Sequence, residues 1–158
     1  MAEIENAMRY GISAGAVLLN DQDQVLLVHH QEKETFDFWV PPGGRLEGNE
    51  SIFDCARREV LEETGLQVEL GQVLYIQEFW EPDYHFVKFF IKGNVVGGSL
   101  TTQNKETDEY FLVDARFFSQ HELQNLTVFP EILKSQFWQD RKNGNLSTRY
   151  LGLERLAF

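Results

Sequence analysis

The stretch from Pro41 to Leu66 constrains this chain more than any other. Pro41-Pro42-Gly43-Gly44 can continue neither a helix nor a strand ladder, so it forces a loop. Residues 50–64 contain no Gly or Pro. They start beside two capping residues, Asn49 and Ser51, and stop at Gly65, the pattern of one well-bounded helix. At about 100° per residue, Glu59, Glu62 and Glu63 share an arc of about 100°, and Phe53, Ala56 and Val60 form an apolar stripe beside it. Such a helix packs on one side and presents three carboxylates at the border.

The flanking sequence reads as strands. Ile12 to Leu19 and Val25 to Val28 are apolar runs around the polar turn 20–24, which predicts a hairpin. Phe36 to Val40 predicts a short aromatic strand. Val68 to Phe79 and Tyr84 to Lys92 predict two longer ones, and Glu109 to Val113 another short one. Ser119 to Asn125 and Pro130 to Asp140 predict short helices, while Arg149 to Leu156 fits strand or helix. Strands on both sides of one strong helix point to a mixed α/β domain rather than a regular βαβ repeat. With 158 residues and no linker or repeat, the expectation is a single domain over 1–158.

Fourteen Lys and Arg against 25 Asp and Glu leave a net charge of −11. A duplex or long-RNA binder draws its affinity from cations on phosphates, so nucleic acid is disfavoured as a partner. An anionic membrane surface is disfavoured for the same reason. The lone Cys55 can form neither an internal disulfide nor a thiolate zinc site, and reads as a small buried hydrophobe. No apolar run reaches the length of a membrane span, and Met1 to Arg9 lacks a signal-peptide core. The expectation is a cytoplasmic protein.

Carboxylates at helical spacing repel by a few tenths of a kcal/mol per pair, so about that much per contact must be offset. Arg57 and Arg58 offset part of it, and a hard divalent cation would offset the rest, since Mg²⁺ and Mn²⁺ favour oxygen ligands. A bare Glu-x-x-Glu-Glu would otherwise read as a solvated acidic face. Its surroundings change that reading. Gly44, five residues, Glu50, seven residues, then Arg58-Glu59-Val60-Leu61-Glu62-Glu63-Thr64-Gly65-Leu66 match every fixed position of the Nudix box. A chance match is on the order of 10⁻⁷ from average residue usage.

The chain therefore resembles the Nudix hydrolases over the 23 residues of the box. The strand order from Ile12 to Val113 is compatible with that family as well. The resemblance implies an α/β/α sandwich with a mixed β-sheet. It also implies Mg²⁺-dependent hydrolysis of a pyrophosphate linkage in a nucleoside diphosphate linked to a group X, with Mn²⁺ as an alternative ion. Carried over by position, Glu59, Glu62 and Glu63 are metal ligands, joined by the backbone carbonyl of Gly43. Arg58 orients a neighbouring carboxylate, and Glu50, half a turn from the acidic face, closes the loop onto the helix. The family takes its general base from the box or from a later loop. Here the later acids are Glu106, Asp108 and Glu109, of which Glu106 is preferred, with box glutamates Glu59 and Glu62 in catalytic roles.

Specificity lies outside the box. Phe36, Phe38, Trp39, Phe79, Trp80, Tyr84 and Phe86 are candidate platforms for a nucleobase. In the family a Pro after the box marks ADP-ribose-type hydrolases and a Tyr marks dinucleoside polyphosphate hydrolases. Pro82 and Tyr84 offer both, with a lean to a nucleotide sugar such as ADP-ribose. A nucleoside triphosphate substrate, a dinucleoside polyphosphate, and a nucleotide sensor without turnover stay open, as does a homodimer. His29, His30, His85 and His121 have no metal-ligand spacing; of these, His85 is the candidate for touching substrate.

Overall fold

A computed structural model describes residues 7–145 and 147–156. The chain runs β1 (Arg9–Leu19), β2 (Val25–Glu32), β3 (Phe36–Val40), β4 (Gly43–Arg45), α1 (Ile52–Thr64), β5 (Leu66–Glu81), β6 (Tyr84–Gly98), β7 (Leu112–Phe118), α2 (Gln120–Leu123), a 3-10 turn (Glu131–Lys134), α3 (Gln136–Lys142) and β8 (Arg149–Arg155). The strands form one mixed sheet in the order β3-β2-β1-β6-β5-β8, with β4 added to β1 and β7 added to β2. The β1–β6 and β5–β8 pairs are parallel and the others antiparallel.

Strand alternation sends side chains to two different cores. Val17, Val25 and Leu27 pack with Leu123, Leu133 and Phe137 from the C-terminal helical segments. Their neighbours Ala16, Leu18, Leu26 and Val28 pack with Val60 of α1 on the other face. Helical layers on both faces of the sheet give the α/β/α sandwich.

One edge of β1 changes partner along its length. Ser13, Ala14 and Gly15 pair with β4, the Ala16 N–H donates to Pro42 O at 3.0 Å, and Leu19 pairs with Val25 of β2. The piece β3-β2-β7 therefore diverges from β1-β6-β5, which opens a cleft between β3 and the β5–β6 ribbon.

The local signals act as expected at α1. Of the two candidate caps, Ser51 is the one used: its hydroxyl accepts the Asp54 N–H, and Asp54 answers in a reciprocal capping box. The helix therefore begins at Ile52, and Glu50 stays in the loop. Gly65 ends it at φ +74°, a left-handed conformation that costs glycine little. Four expectations need correction. The loop predicted at Pro41-Pro42-Gly43-Gly44 holds only for the prolines: Gly43 and Gly44 enter β4, where they pair with Gly15 and Ala14 of β1. The strand predicted at Glu109 to Val113 is Leu112–Phe118, because Glu106 O and Glu109 O accept the Glu109 and Leu112 N–H groups in successive turns. The helix predicted from Pro130 to Asp140 breaks at Ser135 into a 3-10 turn and α3. The ambiguous segment from Arg149 is a strand, parallel to β5.

Candidate active site: an acidic cluster beside an aromatic cavity

The acidic border of α1 faces the β4 loop. Glu63 is 1% exposed; its Oε1 accepts the Gly43 N–H at 3.1 Å, while its buried Oε2 has no hydrogen-bond partner among the described residues. Glu59 lies against Gly44, where a Cβ would stand 2.5 Å from its Oε1. Only a residue without a side chain lets the loop approach so closely.

Arg58 organises the outer side of the cluster. It forks onto Glu50 through Nε (3.1 Å) and Nη2 (2.7 Å), and Nη1 reaches Glu59 (2.9 Å) and Glu62 (3.3 Å). Nη2 also donates to Arg45 O at 3.1 Å. Glu50 accepts the Glu47 N–H at 2.8 Å as well, so it ties the loop to the helix. Those partners hold Arg58 firmly protonated, the bonds to Glu50 above all. Cys55, between α1 and the loop, donates to Gly44 O at 3.4 Å, and burial pushes its thiol up to about 12. It is an inert packing group.

A third wall comes from the loop before β7. Glu109 brings a carboxylate oxygen to those of Glu59 and Glu62, all within 4.8 Å of one another. Burial, then repulsion from Glu59, pushes Glu109 up to about 7. Burial also raises Glu62, with Glu59 adding to it, and raises Glu63 well above the ordinary range, with Glu109 and Glu59 adding to it. Glu106 is exposed at the rim, near enough to Glu62 to contribute to its repulsion. Converging carboxylates, an unpartnered buried oxygen on Glu63 and a glycine floor form a donor set that a hard cation fits.

The cleft beside this cluster holds a cavity of about 190 Å³. Phe38 and Val40 of β3 form one wall and Phe79, Phe86 and Phe90 the other, with Phe129 closing the end. Phe79 stacks on Phe86 at 5.1 Å between centroids, and Phe38 meets Phe129 edge-on at 5.4 Å. The remaining aromatics singled out in the sequence have other partners. Trp39 packs on Phe118 in the core, Phe36 contacts Phe38 and Phe111, Arg155 covers Trp80, and Arg45 covers Tyr84. His85 binds Glu78 at 2.7 Å beside Tyr10, outside this cavity.

Two polar residues line the cavity that the sequence does not single out as base contacts: Lys88, and His30, weighed there only as a metal ligand. A signal for Lys88 exists: it occupies an inward position in the alternation Tyr84, Phe86, Lys88, Phe90, where an apolar residue is expected.

A NUDIX domain family model matches residues 9–138. The chain belongs to the Nudix family. It is 36% identical over 95 residues to an 8-oxo-dGDP phosphatase, NUDT18, of Danio rerio, a match that covers 60% of this chain and 28% of that protein. It is 31% identical over 98 residues to a putative 8-oxo-dGTP diphosphatase of Bacillus subtilis (strain 168), with 62% of each chain covered. The matched part thus spans little more than a quarter of the NUDT18 relative. Among solved structures, a NUDIX hydrolase from Nitrosomonas europaea aligns with a TM-score of 0.73 at 19% identity, covering 94% of this Nudix chain and 81% of that one. That likeness concerns the fold.

Proposed function

We propose that this Nudix chain hydrolyses a pyrophosphate linkage in a small nucleotide, with Mg²⁺ held by Glu59, Glu62, Glu63 and the Gly43 carbonyl. Mn²⁺ would suit the same oxygen donors. The observation that carries this reading is the acidic cluster beside an aromatic cavity: Glu59, Glu62 and Glu109 oxygens lie within 4.8 Å of one another, and the buried Glu63 Oε2 has no partner among the described residues. A divalent ion in that cluster would supply charge neutralisation for the phosphate oxygens and would acidify water in the site.

The chain's own groups do the rest. Arg58 fixes Glu59 and Glu62 in position, and Glu50 fixes Arg58. Glu109, whose carboxylate oxygen lies within 4.8 Å of those of Glu59 and Glu62, is placed to accept the proton of the attacking water. Glu106, the acid preferred from sequence, lies at the rim, and we assign it to the outer electrostatics of the site. The phenyl rings of the cavity hold the base by stacking.

Within this class we favour a purine nucleoside di- or triphosphate. Support comes from the relatives named for 8-oxo-dGDP and 8-oxo-dGTP, at 36% and 31% identity. A nucleotide sugar such as ADP-ribose, to which the sequence leans through Pro82, is the second reading; an ADP-ribose pyrophosphatase of Streptococcus suis shares the fold with a TM-score of 0.59 at 24% identity. The test is a Mg²⁺ assay over nucleoside di- and triphosphates and ADP-ribose, with products identified, for the wild type and Glu63→Gln. Turnover that requires Mg²⁺ and is lost in the variant supports the proposal. Full activity in excess EDTA or in Glu63→Gln overturns it.

A further inference from the structure

The cavity has a polar end that the hydrolytic chemistry does not use. Lys88 lies on β6 between Phe86 and Phe90, on the strand face that lines the cavity, and its ammonium stands 5.2 Å from the Phe90 ring centroid. Among the described residues, its Nζ makes no hydrogen bond and no carboxylate lies within ion-pair distance. His30 of β2 faces it, wedged between the rings of Phe38 and Phe111, at 5.4 and 5.0 Å between centroids. His30 Nε2 is buried and has no partner among the described residues. Burial first, and Lys88 second, lower His30 to about 4, so the ring is neutral.

A buried imidazole nitrogen without a hydrogen bond weakens the folded state, and beside it the half-buried Lys88 ammonium rests over Phe90 with no direct ion pair, Glu63 and Glu59 acting on it only at longer range. A ligand that brings its own polar edge would satisfy both.

We propose that Lys88 and His30 select the base, with Lys88 donating to O6 of a guanine and His30 Nε2 meeting its N7. This rests on the reading of the site as one for nucleotides. The selection follows from donor and acceptor chemistry. A lysine ammonium donates and has no lone pair to accept with; guanine presents O6 as an acceptor, whereas adenine presents an N6 amino donor at the same place. Lys88 therefore favours guanine and opposes adenine. His30 discriminates differently. A neutral imidazole donates or accepts at Nε2 according to its tautomer, so it serves N7 of guanine and the N7–H of 8-oxoguanine alike. Lys88 sets guanine against adenine, and His30 tolerates oxidation of the guanine.

The test separates base choice from hydrolysis. Binding of GMP and AMP is measured by equilibrium dialysis in EDTA for wild type, Lys88→Met and His30→Leu. In parallel, kcat/KM is measured for dGTP and dATP with Mg²⁺. The wild type is expected to prefer guanine by about tenfold or more. Lys88→Met should reduce that ratio by about tenfold, through weaker guanine binding, and His30→Leu should weaken GMP. Wild-type parity between GMP and AMP, or between dGTP and dATP, overturns the proposal even if Lys88→Met fails to fold. Equal losses for both bases in Lys88→Met also overturn it, because they would place Lys88 on the phosphates. A guanine preference in binding without turnover of any nucleotide would sink the hydrolase reading and leave base selection standing.

Discussion

Glu59 and Gly44 act as one unit. With a Cβ on Gly44 only 2.5 Å from Glu59 Oε1, Gly44→Ala must displace that carboxylate from its place in the cluster with Glu62 and Glu109. The Mg²⁺ concentration for half-maximal rate should rise about tenfold, read from initial rates in a Mg²⁺ titration. An unchanged midpoint would show that Glu59 holds no ion at this position. The base assignment separates two neighbours in one loop. Glu109→Gln should lower kcat by about a hundredfold, whereas Glu106→Gln should stay within about threefold, as expected for an exposed charge. The reverse order in steady-state kinetics would return the role to Glu106. The box glutamates were legible because their helical spacing is itself the signal. Glu106, Asp108 and Glu109 were not separable from sequence, since three acids in one turn share the same local chemistry. Burial tells them apart, and burial is decided by the strands that pack around the loop.

At the scale of elements, the ends of α1 were readable because caps are local: Ser51, Asp54 and Gly65 determine them within one turn. Strand β7 was misplaced because two consecutive turn hydrogen bonds compete with the ladder, and Val25–His30 of β2 decides where pairing begins. The C-terminal segments are held by a tertiary knot invisible in local sequence. Asp140 of α3 accepts from Arg149 of β8 at 2.8 and 2.7 Å, from Gln136 at 3.0 Å, and from the buried Tyr75 hydroxyl of β5 at 3.1 Å. Asp140→Ala would leave the Tyr75 hydroxyl buried without its acceptor and should cost about 2 kcal/mol in urea unfolding. Arg149, chiefly, holds the Asp140 carboxyl below its ordinary value of 3.8. The Asp140 contribution is therefore complete above that value and lost as pH falls through the lower folded-state value. Wild type and variant should converge in stability in acid, and a constant gap down to the acid limit would contradict the ionic account.

For the whole molecule, the acidic cluster works against folding when no ion is bound. Burial and mutual repulsion raise Glu62, Glu63 and Glu109, the last to about 7 from an ordinary value of 4.5. The folded protein then keeps protons that the unfolded chain has released. Its stability is complete below the ordinary carboxylate value and declines as pH rises toward neutrality. His30, lowered to about 4, works the other way over this window, so the cluster is read as a difference between proteins. In EDTA, the Tm gain of Glu109→Gln over wild type should grow by about 3–5 °C between about pH 5 and about pH 7.5, and Mg²⁺ should raise the wild type more at the upper end, as scanning fluorimetry would report. A gap that stays constant over this range would contradict the clustering. The divided edge of β1 bears on how such a molecule can change over generations. The carboxylates stand on α1 and in the loops beside it, while Phe38 and His30, which shape one side of the cavity, belong to the β2–β3 hairpin. Among the described residues that hairpin pairs with β1 in the sheet only at Leu19 and Val25. Under the proposed function, substitutions at Phe38 or His30 can retune which base is admitted while leaving Glu59, Glu62 and Glu63 of α1 in place, so one reaction can be retained while its clientele diverges.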